Sequence, residues 1–339
     1  MSKILVRLMT VAFTCVSACL AQSAPHFEYF RVGNGTDASA STRPGFALMG
    51  GGADLDEAFR WLCDHAGGGD LLVLRATGKD DYNPYIRKLC HLNSVATIVI
   101  PDRTAAEDPF VAKAIQHASA LFISGGDQSK YVNYWTDTPV QAELNAAIER
   151  GVPIGGTSAG LAVLGEYAYS AQGDKPDDPN LDGRTAMADP FGSRVTLVRS
   201  FIHIPLFAGM VTDTHFARRD RMGRLLVFLA LLNQSDESRV RSITSQVRGI
   251  GVEEKAAVLV DKDGAARVIG HGAAYFIECP DAQGTVLKGQ SLTFGPYSVR
   301  KVPAGHAFNL KEWSGDATQY ALTVSAGAVR STQPGGSVY

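Results

Sequence analysis

Apolar runs of membrane-spanning length are absent from these 339 residues. A shorter apolar stretch spans 8–20, just after Lys3 and Arg7, and runs into the small-polar end Ala21-Gln22-Ser23-Ala24. It is too short for a membrane span and has the anatomy of a secretory signal over 1–24, so the expectation is an exported protein, periplasmic or extracellular. Val16-Ser17-Ala18-Cys19 is similar to a bacterial lipobox, which would instead leave a lipid on Cys19. Cysteine is scarce. Of five, Cys15 and Cys19 lie in the leader, and Cys63, Cys90 and Cys279 remain, too few for a fold built on a disulfide framework. Cys63 and Cys90 each fall near the end of a predicted helix, which leaves a bridge between them and burial as free thiols both open. An excess of one charge sign is missing too: 32 basic against 34 acidic residues, scattered along the chain, exclude nucleic acid as a partner. There is no internal repeat and no low-complexity block, and an apolar share of 45% suffices for a buried core, so disorder of the whole is excluded.

What is present is a regular punctuation. Residues 25–44 are polar and rich in Gly, Ser and Thr, and read as a flexible lead-in. Apolar runs then alternate with amphipathic stretches. Phe46-Ala47-Leu48-Met49 is a strand ended by three glycines, and Asp54-Leu55-Asp56-Glu57 opens a helix. Leu71-Leu72-Val73-Leu74, residues 95–100 and Ala120-Leu121-Phe122-Ile123 are strands, with helices over 82–92 and 105–117. Thr138-Pro139-Val140-Gln141 has the makeup of a capped helix start. Short, continuously apolar strands alternating with helices indicate an α/β fold with a mostly parallel sheet covered on both faces. After a helix over 219–232, the residues from 250 onward read mainly as strands with Gly turns, a C-terminal antiparallel β extension. Residues 314–339 read as a weakly structured tail.

In such sheets ligands bind beyond the carboxyl ends of the strands, where Gly50-Gly51-Gly52, Gly125-Gly126 and Ser158 should all lie. Gly156-Thr157-Ser158-Ala159-Gly160 fits G-x-S-x-G between strand and helix, a turn that pushes Ser158 Oγ out at the rim and points the Ala159 N–H at a neighbouring oxyanion. No Lys follows in P-loop position, so a phosphate turn is disfavoured. A serine needs a base, and the base an orienting acid. His65, His91 and His117 fall on amphipathic helices as surface or boundary residues; His203, His215, His271 and His306 remain as candidate bases, and His215, in the irregular Thr212-Asp213-Thr214-His215-Phe216, has the best context. Glu253-Glu254, after Gly249-Ile250-Gly251-Val252, offers an acid, with Asp213 competing. Arg219, Arg221 and Arg224 add guanidinium forks suited to carboxylates. Nothing in this chemistry calls for a metal or cofactor.

Taken in order, Gly125-Gly126-Asp127-Gln128, GGTSAG around Ser158, the Asp213–Phe216 stretch with its arginines, and Gly249 through Glu254 resemble peptidase family S51, most closely its cyanophycinase branch, over residues 46–312. The resemblance implies a flavodoxin-like, doubly wound sheet related to class I glutamine amidotransferases, a catalytic domain over 45–313, and possession of a Ser-His-Glu triad: Ser158 as nucleophile, His215 as general base, Glu254 as orienting acid. It further implies an oxyanion hole from the N–H groups of Gly126 and Ala159, and substrate contacts from Gln128, Asp213, Arg219, Arg221 and Arg224. The implied substrate is an Asp-containing peptide or polymer such as cyanophycin, a poly-aspartate with arginine on each side chain that the family cuts to β-Asp-Arg dipeptides; a homodimer is implied as well. An Asp-specific dipeptidase or isoaspartyl-type peptidase, and a catalytically silent binder of acidic peptides, are the alternatives. Thr214 stands where Gln is usual and Leu161 where a small residue is usual; both are expected to flank the site.

Overall fold

The computed structural model describes residues 25–178, 180–234 and 246–339. Its first half runs β1 (Glu28–Gly33), β2 (Gly45–Met49), α1 (Asp56–His65), β3 (Asp70–Arg75), α2 (Tyr82–Leu89), β4 (Ser94–Val99), α3 (Arg103–Ala106), α4 (Pro109–Gln116), β5 (Ala120–Ile123), α5 (Gln128–Trp135), α6 (Pro139–Glu149), β6 (Ile154–Thr157) and α7 (Ala159–Ala162). Strands β4, β3, β5, β6 and β2 lie side by side, all parallel. Their side chains sort alternately into two cores. Phe46, Leu48, Leu72, Leu74, Leu121 and Ile123 meet Val111, Ile115, Val140 and Leu144 of α4 and α6. Ala47, Met49, Leu71, Val73 and Phe122 meet Phe59, Leu62 and Ile86 of α1 and α2. Each of these side chains larger than alanine contributes about 1.5–3 kcal/mol on burial. A one-residue slip would exchange the two sets, which is how the apolar pattern fixes the register.

The second half runs β7 (Tyr167–Tyr169), α8 (Gly183–Ala188), β8 (Leu197–Arg199), β9 (Met210–Asp213), α9 (Met222–Gln234), β10 (Arg248–Val252), β11 (Ala256–Asp261), β12 (Ala265–Gly270), β13 (Ala273–Glu278), β14 (Gln283–Gly284), β15 (Phe294–Pro303), β16 (Ala307–Asn309), β17 (Ser314–Gly315), β18 (Thr318–Ser325) and β19 (Ala328–Ser331). Strands β11, β12, β16 and β17 extend the first sheet antiparallel from β2. The antiparallel extension is there, but it does not form one sheet. The remaining strands make a second sheet in the order β19-β18-β15-β13-β10-β9-β7-β8, with β14 against β15, and within it β9 runs parallel to β10. This sheet is again two-faced: Ile250, Val252, Ala274 and Phe276 enter the core shared with the first sheet. Tyr275, Ile277, Val299, Leu322 and Val324 cover α9.

Several expectations change. The lead-in 25–44 is not loose: β1 pairs antiparallel with β4 from Glu28↔Val99 to Gly33↔Ser94, and Arg31 bonds both Asp37 and Asp70. Its polar composition hid the alternation that places Tyr29 against one core and Val32 against the other. Nor is 314–339 a weak tail, because Tyr320, Leu322 and Val324 of β18 are buried at period two between β15 and β19. The predicted helix over 105–117 is two helices. Pro109 interrupts the first, and Asp108 caps the second by accepting the Phe110 N–H at 2.8 Å. Thr138 makes no side-chain cap; its hydroxyl donates to Trp135 O at 2.6 Å. Helix α9 begins at Met222, since 219–221 are needed as a turn. His65 is buried against Trp61 rather than at a boundary.

Cys63 and Cys90 form a disulfide joining the end of α1 to the residue after α2, with Cα atoms 6.2 Å apart. Cys279 is a buried free thiol, pushed up to about 11 by its burial. The leader 1–24 with Cys19 lies outside the described residues. Among the described residues no helix is long and apolar enough to cross a membrane.

Candidate active site

Ser158 sits on a turn that few residues tolerate. The strand β6 ends at Thr157 and α7 starts at Ala159, so one residue must reverse the chain, and Ser158 does so at φ +52°. A non-Gly residue there costs on the order of 1–3 kcal/mol unless its surroundings over-determine it. They do: the Ser158 N–H donates to Met49 O at 3.2 Å, and Ser158 O accepts from Ala162 N at 3.0 Å. Gly156 makes the turn sterically feasible, because a Cβ there would stand 2.5 Å from the Gly160 backbone.

The residues expected to serve as base and acid come from the other sheet. His215 follows the carboxyl end of β9 and Glu254 that of β10, the two parallel neighbours. Ser158 Oγ lies 2.7 Å from His215 Nε2, and His215 Nδ1 lies 2.6 Å from Glu254 Oε1. The hydrogen bond from His215 holds the Glu254 carboxyl below its ordinary range. As a carboxylate it only accepts, so Nδ1 carries the imidazole proton and Nε2 is the acceptor for the serine hydroxyl. Burial pushes His215 below the usual imidazole range; Glu254 opposes that shift, and the positive Arg219 and Arg221 reinforce it. The neutral, proton-accepting form is therefore the resting one near neutral pH. Gly51 closes the back of the ring at φ +93°, and a Cβ on it would fall 2.5 Å from Nε2.

A cleft of about 520 Å³ opens beside Ser158, walled by Gly126, Gln128, Tyr169, Lys175 and Arg219 among others. Gly126 and Ala159 line it, and their amides donate to no group among the described residues. Gln128, the first residue of α5, lines it with its amide 3.4 Å from Tyr169 O. Arg219 is exposed and has no side-chain partner among the described residues. Arg221 lines the cleft but is largely committed: Nε and Nη2 donate to Asn180 Oδ1 at 3.1 Å, and Nη1 to Thr214 O and Oγ1 at 3.1 and 3.0 Å. Burial and the adjacent Arg224 depress its affinity for the proton.

Asp213 and Arg224 are elsewhere. Both are 1% exposed, and Arg224 grips Asp213 through Nε at 2.8 Å and Nη2 at 2.5 Å. The Arg224 guanidinium also lies over the Tyr169 ring, 4.6 Å from its centre. Direct substrate contact by these two is corrected: they are a buried ion pair beneath the cleft, and removing either partner would strand the other at a cost of about 3–5 kcal/mol. Leu161 is corrected likewise. It is fully buried in the core below α7 and does not flank the opening. Of the paired carboxylates, Glu253 turns away, accepting from Tyr275 O–H at 2.6 Å and Ala273 N–H at 3.0 Å.

Sequence reasoning missed Tyr169, Asn180 and Lys175. Tyr169 donates to Asp174 at 2.6 Å, and Arg194 grips Asp174 and Asp178, so the irregular stretch 170–178 forms a braced wall. No spacing marks such residues, because they meet only through the tertiary fold. No group of three or more His, Cys, Asp or Glu with metal-binding geometry occurs among the described residues.

A model of "Peptidase family S51" matches residues 53–192, a span holding Ser158 but neither His215 nor Glu254. The chain is similar to a cyanophycinase of Geminocystis herdmanii, 28% identical over 58% of this chain and 58% of that protein, so the match spans little more than half of the relative. It is similar to a cyanophycinase of Synechococcus elongatus as well, 25% identical over 72% of this chain and 71% of the other. A solved peptidase from an acI-B1 actinobacterium aligns with a TM-score of 0.47 and 16% identity, covering 79% of this chain and 97% of that one.

Proposed function

We propose that the chain is a member of peptidase family S51, whose model matches residues 53–192 and whose name fits the relatives called cyanophycinase, and that it is an exported serine peptidase hydrolysing amide bonds in Asp-containing peptides or polymers. The observation that carries the reading is the unbroken hydrogen-bonded chain from Ser158 through His215 to Glu254. Ser158 Oγ attacks the amide carbonyl while His215 Nε2 takes its proton; the imidazolium is stabilised by the Glu254 carboxylate. The oxyanion that develops is received by the uncommitted N–H groups of Gly126 and Ala159. His215 then passes its proton to the leaving amine, which departs and leaves an acyl group on Ser158. Water, deprotonated by His215, releases the acyl group and restores the hydroxyl. Export is supported by the leader over 1–24 and by the Cys63–Cys90 bridge, which suits an oxidising compartment.

For the substrate, a polymer or peptide is supported by the relatives named cyanophycinase, and Arg219 supplies a free guanidinium for a carboxylate. A second reading, an Asp-directed dipeptidase or isoaspartyl-type peptidase, is favoured by one feature. Thr214, in place of the usual Gln, is held by Arg221, which leaves Lys175 and Arg219 as the cations of the wall without side-chain partners among the described residues. Incubating purified protein with insoluble cyanophycin should release β-Asp-Arg. Turnover of soluble β-aspartyl dipeptides without that release would select the second reading, and turnover of neither would contradict both.

A further inference from the structure

The aromatic ring of Tyr339 stands between the loop that carries His215 and strand β13. It meets Phe216, the residue after His215, edge-on at 5.9 Å between centroids and 84°. On another side it meets Tyr275 at 5.9 Å and 87°. The Tyr275 hydroxyl is the group that holds Glu253, the residue before Glu254. Phe216 and Tyr275 also touch each other, at 5.3 Å, so the three rings form one cluster under the site.

The Tyr339 hydroxyl fixes the same region from below. It accepts the Met222 N–H at 2.9 Å, at the start of α9, and donates to Asp220 Oδ1 at 3.1 Å. Asp220 has φ +47° and His215 has φ +47°, so the turn from 215 to 220 holds two residues in a conformation that needs outside support. Within that turn the Arg219 N–H donates to His215 O and the Arg221 N–H to Phe216 O. Any loosening at Asp220 or Met222 is therefore passed back to the imidazole. Tyr339 is in turn anchored, because Tyr320 O–H donates to Val338 O at 2.8 Å.

We propose that Tyr339 is a positioning residue for the proposed triad: its ring keeps the Phe216 and Tyr275 supports in register, and its hydroxyl braces the turn that follows His215. This rests on the peptidase reading only for its effect on rate; the geometric part stands without it. The test uses the full chain carrying ¹⁵N-histidine, as wild type, Tyr339→Ala, Tyr339→Leu and Tyr339→Phe. The first readout is the Nδ1 proton resonance of His215 and the midpoint of its titration. The second is the rate at which a fluorophosphonate modifies Ser158. Expected for Tyr339→Ala and Tyr339→Leu are loss of the low-field Nδ1 resonance, a shifted titration midpoint and labelling slowed by about 10–100-fold, the range set by a misplacement of an ångström or less. Tyr339→Phe, which keeps the ring, should lose less than either. A lower melting temperature with the resonance, midpoint and labelling rate unchanged would reduce Tyr339 to a structural residue and overturn the proposal. Tyr339→Leu and Tyr339→Phe keep the test alive if Tyr339→Ala fails to fold. If wild type is not labelled at Ser158, the peptidase reading falls, and the histidine resonance and midpoint still decide the positioning claim.

Discussion

The two halves of the site are held in place in different ways. The Ser158 turn is local: its glycines, its reversed φ and its bonds to Met49 and Ala162 all follow from a few residues at the end of β6. The His215 and Glu254 loops are assembled from far apart, leaving adjacent strands of a second sheet and joined to the first through Gly50-Gly51-Gly52. There Gly50 O accepts the His215 N–H at 2.8 Å and Gly51 O the Lys255 N–H at 2.9 Å. With the proposed nucleophile on one sheet and the proposed base and acid on another, the seam between them is the place where the hydrogen-bonded chain is either completed or lost.

Substitutions separate these contributions. Ser158→Ala removes the attacking atom, and kcat should fall by about 10⁶-fold while the melting temperature holds; retained turnover would refute the first half. Glu254→Gln leaves the shape but replaces the acceptor of the Nδ1 proton, and should lower kcat about 10⁴-fold with KM little changed. Gly51→Ala strikes the seam itself, since its Cβ would displace the His215 ring from the first sheet's side, and about 10²-fold in kcat is expected. A normal rate in that variant would mean that the loop yields and that the seam does not set the position of the imidazole. The smallest effect concerns pH. Because burial places His215 below the ordinary imidazole value, kcat/KM should fall only as pH drops through a midpoint under 6.5. Arg219→Gln removes a cation that disfavours the imidazolium, so the midpoint should move upward.

The same contrast governs how much could be read from the sequence. The parallel strands were legible because each is a short apolar run between glycine or capped turns, and the Ser158 turn because its constraints are sequence neighbours. His215 and Glu254 carried weak local signals, and only the ordered set of motifs put them beside Ser158. Burial of Asp213 and Arg224 was not legible, because a carboxylate and a guanidinium read as surface groups until their bidentate pairing is seen. Strands β1 and β18 were missed for one reason. Their apolar residues alternate with polar ones at the sheet edges, so composition masked a period that only pairing with distant strands satisfies.

The central claim is that Ser158 is activated across the seam by His215 and Glu254. The most direct test is a serine-reactive fluorophosphonate followed by peptide mapping, on wild type, His215→Ala and Glu254→Gln. The account expects one adduct, on Ser158, formed quickly in wild type and strongly slowed in both variants. An unmodified Ser158 in folded wild type, or equal labelling in all three proteins, would contradict it.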